Sequence, residues 1–333
     1  MRRAHRSASP KNKERRRVVK TTSITRLLLA TDFSDEARRA EEYASALAAS
    51  WQIPLSVMTV LEFPPGMNPD YAVNKQYLTD RMHDASTRLA EFKERTRRRG
   101  IVATTHITSG IPSERVIAAA QSEEADLIVV GTRGKSGLAH VLLGSTAERV
   151  IRSAPCPVLT VPTLKDDRST EGSVSLKRIL VPTDLSDCSL DALDYAAVVA
   201  RQSKASVELL HVLEPVYYGL DFTFEPASER ERKRTQMAQV LEDVSADLSK
   251  AGIIIKTCIR GGMPPDTILE YVQTSASDLI IMGTHGRRGL SHLMAGSVTE
   301  AVLRRGTCPV LAVRKLPFGD QARRAIVSIG QSS

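Results

Sequence analysis

Aromatic residues make up only 4% of the 333-residue chain, tryptophan occurs once and cysteine four times. The cysteines, Cys156, Cys188, Cys258 and Cys308, form no C-x-x-C pair and have no histidine at metal-ligand spacing. That excludes a zinc module or a disulfide scaffold and leads us to expect a reduced, cytoplasmic protein. No apolar run approaches the roughly 18 residues needed to span a bilayer, so a soluble chain without a membrane partner is expected. A recognisable set of nucleophile, base and orienting group is also missing, which removes the usual grounds for expecting an enzyme.

The net charge of +8 is concentrated in one place. Residues 1–20, MRRAHRSASPKNKERRRVVK, hold nine Lys and Arg against one Glu, leaving 37 charges of each sign in the remainder. The folded part is therefore close to neutral. With no apolar core and no signal-type stretch, residues 1–23 read as a disordered basic tail. Few aromatics interleave its charges, so stacking on a single strand is disfavoured and nucleic acid is not the expected partner.

What the chain does have is a repeat. Asp32 in LLLATDFSDEA stands 152 residues before Asp184 in RILVPTDLSDCS, and the same offset relates Gly110 to Gly262, Gly131 to Gly283, Gly144 to Gly296, and Cys156 to Cys308. No insertion separates the halves over this span, so the chain is a tandem duplication. The halves are expected at 24–163 and 176–315, with a polar linker over 164–175 and a C-terminal tail over 316–333.

Each half alternates strand and helix. In the first, RLLLA is a short buried strand, and Ser34 is placed to cap a helix with Ala37, Ala40, Ala44, Leu47 and Ala48 on its apolar face. LSVMTVLE is a second strand. The next helix carries Leu78, Met82, Ala85, Leu89 and Phe92 on one face and stops at Gly100, a pattern echoed by Met237, Leu241, Val244 and Gly252. IVATTHIT, DLIVVG and PVLTVP complete five strands, with helices PSERVIAAAQSE and GSTAERVIRS between them. Strict alternation predicts α/β architecture, a doubly wound parallel sheet in each half, because parallel strands need right-handed crossovers.

In such sheets ligands bind beyond the carboxyl ends of the strands. Strand one ends in Thr31-Asp32 and strand four in Gly131; if the two are neighbours, one pocket collects both. The stretch Gly131–Ser145, GTRGKSGLAHVLLGS, contains the tail of a familiar phosphate loop, yet G-x-x-x-x-G-K-[ST] fails here. Only two residues separate Gly131 from Gly134, Val129 occupies the place of the first glycine, and Lys135-Ser136 becomes Arg287-Arg288 in the second copy. The shared device is instead G-x-x-G-x9-G-S. Glycines permit close backbone approach, and Gly144-Ser145-Thr146 opens a helix whose N–H groups favour an anion. The second copy repeats it as Gly283, Gly286, Gly296, Ser297 and Thr299. Asp32 and Asp184 serve either as helix caps alone or as caps that also touch ligand. His140 and His292 occupy matching places in the loop and are expected at the surface or in packing, and Cys156 and Cys308 are expected as small buried hydrophobes.

These motifs, TDFS and PTDLS, the two G-x-x-G-x9-G-S runs and the CPVL strands, resemble those of a tandem universal stress protein, over about residues 24–163 and 176–315. The resemblance implies flavodoxin-like (Rossmann-like) domains, each a five-stranded parallel sheet of order 3-2-1-4-5. It also implies ATP as the cofactor, with or without Mg, since members with the full glycine motif bind it. The implied contacts are Asp32 and Asp184 near ribose and phosphates and Val60 and Val212 beside the adenine. Around the phosphates it implies Gly131, Gly134, Gly144, Ser145 and Thr146, and Gly283, Gly286, Gly296, Ser297 and Val298. One departure is visible: Ala30 precedes Thr-Asp in the first copy and Pro182 in the second. The resemblance further implies that the two domains pair through strand five, or that the chain forms a homodimer. Three functions stay open: a nucleotide-binding stress regulator, a slow ATPase, and a nucleotide-free adaptor.

Overall fold

The computed structural model describes residues 23–62, 72–132, 143–163, 174–215, 217–218, 223–224, 227–284 and 296–314. The basic tail, most of the linker and the C-terminal tail lie outside these residues. The first half runs β1 (Leu27–Ala30), α1 (Arg38–Trp51), β2 (Leu55–Leu61), α2 (Ala72–Arg98), β3 (Ala103–Ser109), α3 (Pro112–Ser122), β4 (Leu127–Gly131), α4 (Ser145–Ser153) and β5 (Val158–Val161). The second runs β6 (Arg178–Pro182), α5 (Asp187–Ser203), β7 (Ser206–Leu213), then β8 (Tyr217–Tyr218) and β9 (Thr223–Phe224). It continues with α6 (Ala227–Lys250), β10 (Ile255–Gly261), α7 (Pro264–Ser275), β11 (Leu279–Gly283), α8 (Ser297–Arg305) and β12 (Val310–Val313). The antiparallel pair β8–β9 is not among the strands expected from the sequence, and the matching first-half positions lie mostly outside the described residues.

The strand order is β3-β2-β1-β4-β5 in one half and β10-β7-β6-β11-β12 in the other, which is the expected 3-2-1-4-5 in both. Within these two five-stranded sets all pairings are parallel. Both faces of each sheet are covered by helices, so the central strands are apolar at successive positions rather than alternating. Leu27 and Leu29 face α1, packing with Ala40, Ala44 and Leu47, while Leu28 faces the other way toward Val116, Ala147 and Val150. Complete burial of each such Leu stabilises by about 1.5–3 kcal/mol.

β5 and β12 pair antiparallel, joining the two sheets into one of ten strands. Leu159 stands opposite Leu311, and Trp51 Nε1 donates to Ser203 Oγ at 2.9 Å. Both pairs join positions 152 apart, so each lies across the pseudo-twofold axis relating the halves. The seam is polar as well as apolar. Thr160 Oγ1 donates to the Val310 carbonyl at 3.0 Å, the Gln202 amide brackets the backbone of Ile24 at 3.1 and 2.9 Å, and the buried Tyr195 hydroxyl donates to the Asp126 carbonyl at 3.1 Å.

Two expectations need correction. Met82 is exposed rather than part of the buried face of α2, which is set by Ala85, Leu89 and Phe92. Among the described side chains of this 27-residue helix none before Ala85 is buried. Ser34 does not cap α1 directly: its hydroxyl accepts from Ala37 N at 3.2 Å, closing a turn that precedes the helix. The equivalent Ser186 is the N-cap of α5 and accepts from Ser189 N. Gly100 and Gly252 end α2 and α6 with φ of 74° and 80°, a left-handed conformation in which a Cβ is costly.

Candidate functional site

The β1–α1 loop is built by side chains bonding to their own backbone. Thr31 Oγ1 accepts from Phe33 N at 2.9 Å, and Asp32 Oδ1 accepts from both the N–H and the hydroxyl of Ser34, at 3.0 and 2.6 Å. The second copy repeats this with Thr183, Asp184, Leu185 and Ser186, at 3.0, 3.0 and 2.6 Å. Between them Phe33 and Leu185 take φ of 56° and 62°, unusual for bulky residues and sustained by these turns. The aspartates therefore orient the serines, of which Ser186 caps α5 and Ser34 closes the turn before α1.

β1 lies between β2 and β4, with Ala30 in register with Met58 and with Val130. β1 and β4 end side by side at the carboxyl edge, so the topology brings the strand ends that lead into Asp32 and Gly131 together. Val60 and Val212 belong to β2 and β7, in register with Thr108 and Arg260, and are partly buried. Beside β1 and β2 opens a shallow solvent-facing cleft, walled by Asp32, Phe33, Thr59 and Val60 on the sheet side and by Arg81, Asp84 and Arg88 of α2.

Gly131 ends β4 opposite Val161. Gly144 N–H donates to the Thr132 carbonyl at 2.7 Å, and Gly296 N–H to Thr284 at 2.6 Å, so the chain returns to the strand end before each helix starts. Gly134 and Gly286 lie outside the described residues, as do His140, His292 and Lys135. Among the described residues no side chain caps α4 or α8. The exposed Ser145 and Ser297 and the half-buried Thr146 and Val298 occupy the first turns there. Uncapped N–H groups at a helix start suit an anion.

Contacts give two of the glycine-motif residues packing roles. Thr299 does not face the loop: it is buried and its hydroxyl donates to the Gly283 carbonyl at 2.7 Å, tying α8 to the end of β11. Gly283 is required by packing, because a Cβ there would stand 2.8 Å from the Cys188 carbonyl oxygen of α5. Cys156 and Cys308 are buried as small apolar residues, and desolvation pushes both thiols up to about 12.

Other residues at the site carried no sequence signal of their own. Glu41, on α1, is buried and accepts from the Thr31 hydroxyl at 2.7 Å, with Arg95 at 3.3 Å from its other oxygen. Burial raises its carboxyl above the ordinary value, against the opposing pull of Thr31 and Arg95. Buried His211 places Nδ1 2.7 Å from the Thr183 carbonyl, which only accepts, so that nitrogen carries the proton. Comparing the halves position by position would have found both, since the offset partner of Glu41 is Leu193 and that of His211 is Thr59. Among the described residues no group of three or more His, Cys, Asp and Glu is arranged to hold a metal.

Fold and site together define a tandem of flavodoxin-like α/β domains, each presenting an aspartate loop and an uncapped helix at one strand edge. Residues 23–162 and again 175–314 match the universal stress protein family, and the chain belongs to it. A universal stress protein of Mycolicibacterium smegmatis is 26% identical over 305 residues, covering 89% of this chain and 99% of its own length. One from Methanocaldococcus jannaschii is 36% identical over 142 residues, 42% of this chain and 82% of that protein. The crystal structure of a universal stress protein from Archaeoglobus fulgidus has a TM-score of 0.66 at 25% identity, covering 87% of this chain and 98% of its own.

Proposed function

We propose that the chain is an adenine-nucleotide-binding regulator of the stress response, taking ATP in each half and presenting a surface that changes with occupancy. The observation that carries this reading is the duplicated strand-edge geometry: an aspartate loop beside a glycine-ended strand, facing a helix start without a side-chain cap. The described residues fit a phosphate through backbone N–H groups. They offer no carboxylate set for Mg, so the ion would be held chiefly by the phosphates themselves.

The β5–β12 pairing supports reading the tandem chain as an intramolecular equivalent of a dimer, its halves held at high effective concentration by the linker. A homodimer of the whole chain is the alternative. We place the protein in the cytoplasm, consistent with free cysteines; among the described residues no helix is long and apolar enough to cross a membrane. Binder is preferred over enzyme because among the described residues no base is positioned by a third group at the strand edge. Denaturing the purified protein and identifying released nucleotide tests the reading. Adenine nucleotide near stoichiometry supports it, an empty protein favours the adaptor, and sustained phosphate release beyond one per site makes it an ATPase.

A further inference from the structure

The two aspartate loops share a backbone, and what supports it differs. Beneath the first loop the Thr31 hydroxyl bonds to Glu41, and Glu41 faces Arg95. The Arg95 guanidinium lies 5.4 Å over the Phe92 ring, which meets the Phe33 ring edge-on at 6.4 Å. From the rim of the cleft, Arg88 Nη1 donates to the Phe33 carbonyl at 3.0 Å while its Nε bonds to Asp84 at 3.0 Å. The left-handed residue is thus held by its ring, by its carbonyl and, through Thr31, by its N–H.

The second half has none of these charges at the matching positions. Glu41 becomes Leu193, Arg88 becomes Val240, Arg95 becomes Asp247, and the Phe33–Phe92 pair becomes Leu185 and Val244. Its Thr183 hydroxyl pairs instead with Ser189, 3.0 Å away on α5. A valine at 240 has no donor for the Leu185 carbonyl, so the contact that Arg88 makes has no equivalent at the matching position of α6.

The geometry points to Arg88 as a positioning residue that makes the first domain the tighter of two unequal nucleotide sites, an inference that rests on the nucleotide-binding reading above. A bulky residue at positive φ is strained and keeps its place only when its surroundings fix it. A loop fixed before ligand arrives loses less freedom on binding, and that saving appears as affinity. One hydrogen bond from a charged donor at a half-exposed site corresponds to about a two- to tenfold difference in dissociation constant.

Photolabelling of the full chain with 8-azido-ATP over a concentration series, with peptides from 24–163 and 176–315 quantified by mass spectrometry, separates the two sites. Half-saturation does not depend on labelling efficiency, so the domains can be compared directly. In the wild type the first domain should saturate at lower concentration. Arg88→Val should raise its half-saturation about two- to tenfold while the second domain and the ligand-free melting temperature stay put. Arg88→Lys, which keeps a donor, should recover part of the loss, and Val240→Arg should tighten the second domain. Simultaneous saturation in the wild type overturns the inference, as does an unchanged first domain in Arg88→Val. Labelling of neither domain overturns the nucleotide reading itself, and this inference with it.

Discussion

Gly283→Ala tests whether the strand-end glycine serves the ligand alone. An ideal Cβ at this position stands 2.8 Å from the Cys188 carbonyl oxygen, 2.9 Å from its carbonyl carbon and 2.9 Å from its sulfur. Comfortable contact with carbon begins near 3.5 Å, so the overlap amounts to several tenths of an ångström against three atoms. Two of them are backbone in the first turn of α5, which has no rotamer to change. Relief requires α5 to lift from the sheet, disturbing the packing of Ala192 and Ala196 with Ile281 and Leu311. Overpacking of this kind costs about 1–3 kcal/mol. At about 2–4 °C for each kcal/mol in a domain of 150–250 residues, the melting temperature should fall by about 2–12 °C. Calorimetry on the nucleotide-free variant measures this directly. If Gly283→Ala melts with the wild type in the absence of nucleotide yet no longer binds ATP, the packing argument is wrong.

Three further outcomes are expected. Because burial raises the Glu41 carboxyl, the folded chain keeps that proton to higher pH than the unfolded chain, so its stabilising contribution is complete below the ordinary 4.5 and fades as pH rises through the folded value. Glu41→Gln, which preserves an oxygen for Thr31, should therefore melt like the wild type near pH 4 and above it at pH 7; parallel curves would refute the assignment. Aspartate at both Val158 and Val310, each almost fully buried at the seam, places unpaired carboxylates where desolvation costs several kcal/mol and should open or aggregate the chain by small-angle scattering. A wild-type profile and melting temperature would remove the seam from the account. A thiol reagent at pH 8 should modify the partly exposed Cys258 before the buried Cys156 and Cys308, and prompt labelling of either of the last two would contradict their burial.

Much of the architecture could be read from the chain because the duplication doubles every local signal. The 152-residue offset aligns each strand and glycine, and strict alternation leaves a parallel sheet as the only economical arrangement. The strand order came from the resemblance rather than from the residues, and the structure agrees. What stayed hidden depends on contacts between segments far apart in sequence. Glu41 meets Arg95 across 54 residues and Gly283 meets Cys188 across 95, and nothing local marks either pair. The aspartates looked like caps because Asp commonly caps; only the geometry shows that Asp32 and Asp184 bond to the serine two residues on. Thr299 looked like a phosphate ligand from its place at a helix start, but the pitch of α8 turns it inward toward Gly283. Met82 fitted the apolar period of α2, but its side chain is exposed, and the buried face of the helix begins only at Ala85.

The central claim is that each half holds an adenine nucleotide, and calorimetric titration of the nucleotide-free full chain with ATP tests it most directly. Two sites per chain are predicted, with a ligand at about 100 times its dissociation constant stabilising the fold by about 2.7 kcal/mol. A titration with no heat, together with a melting temperature that ATP does not move, would contradict the account.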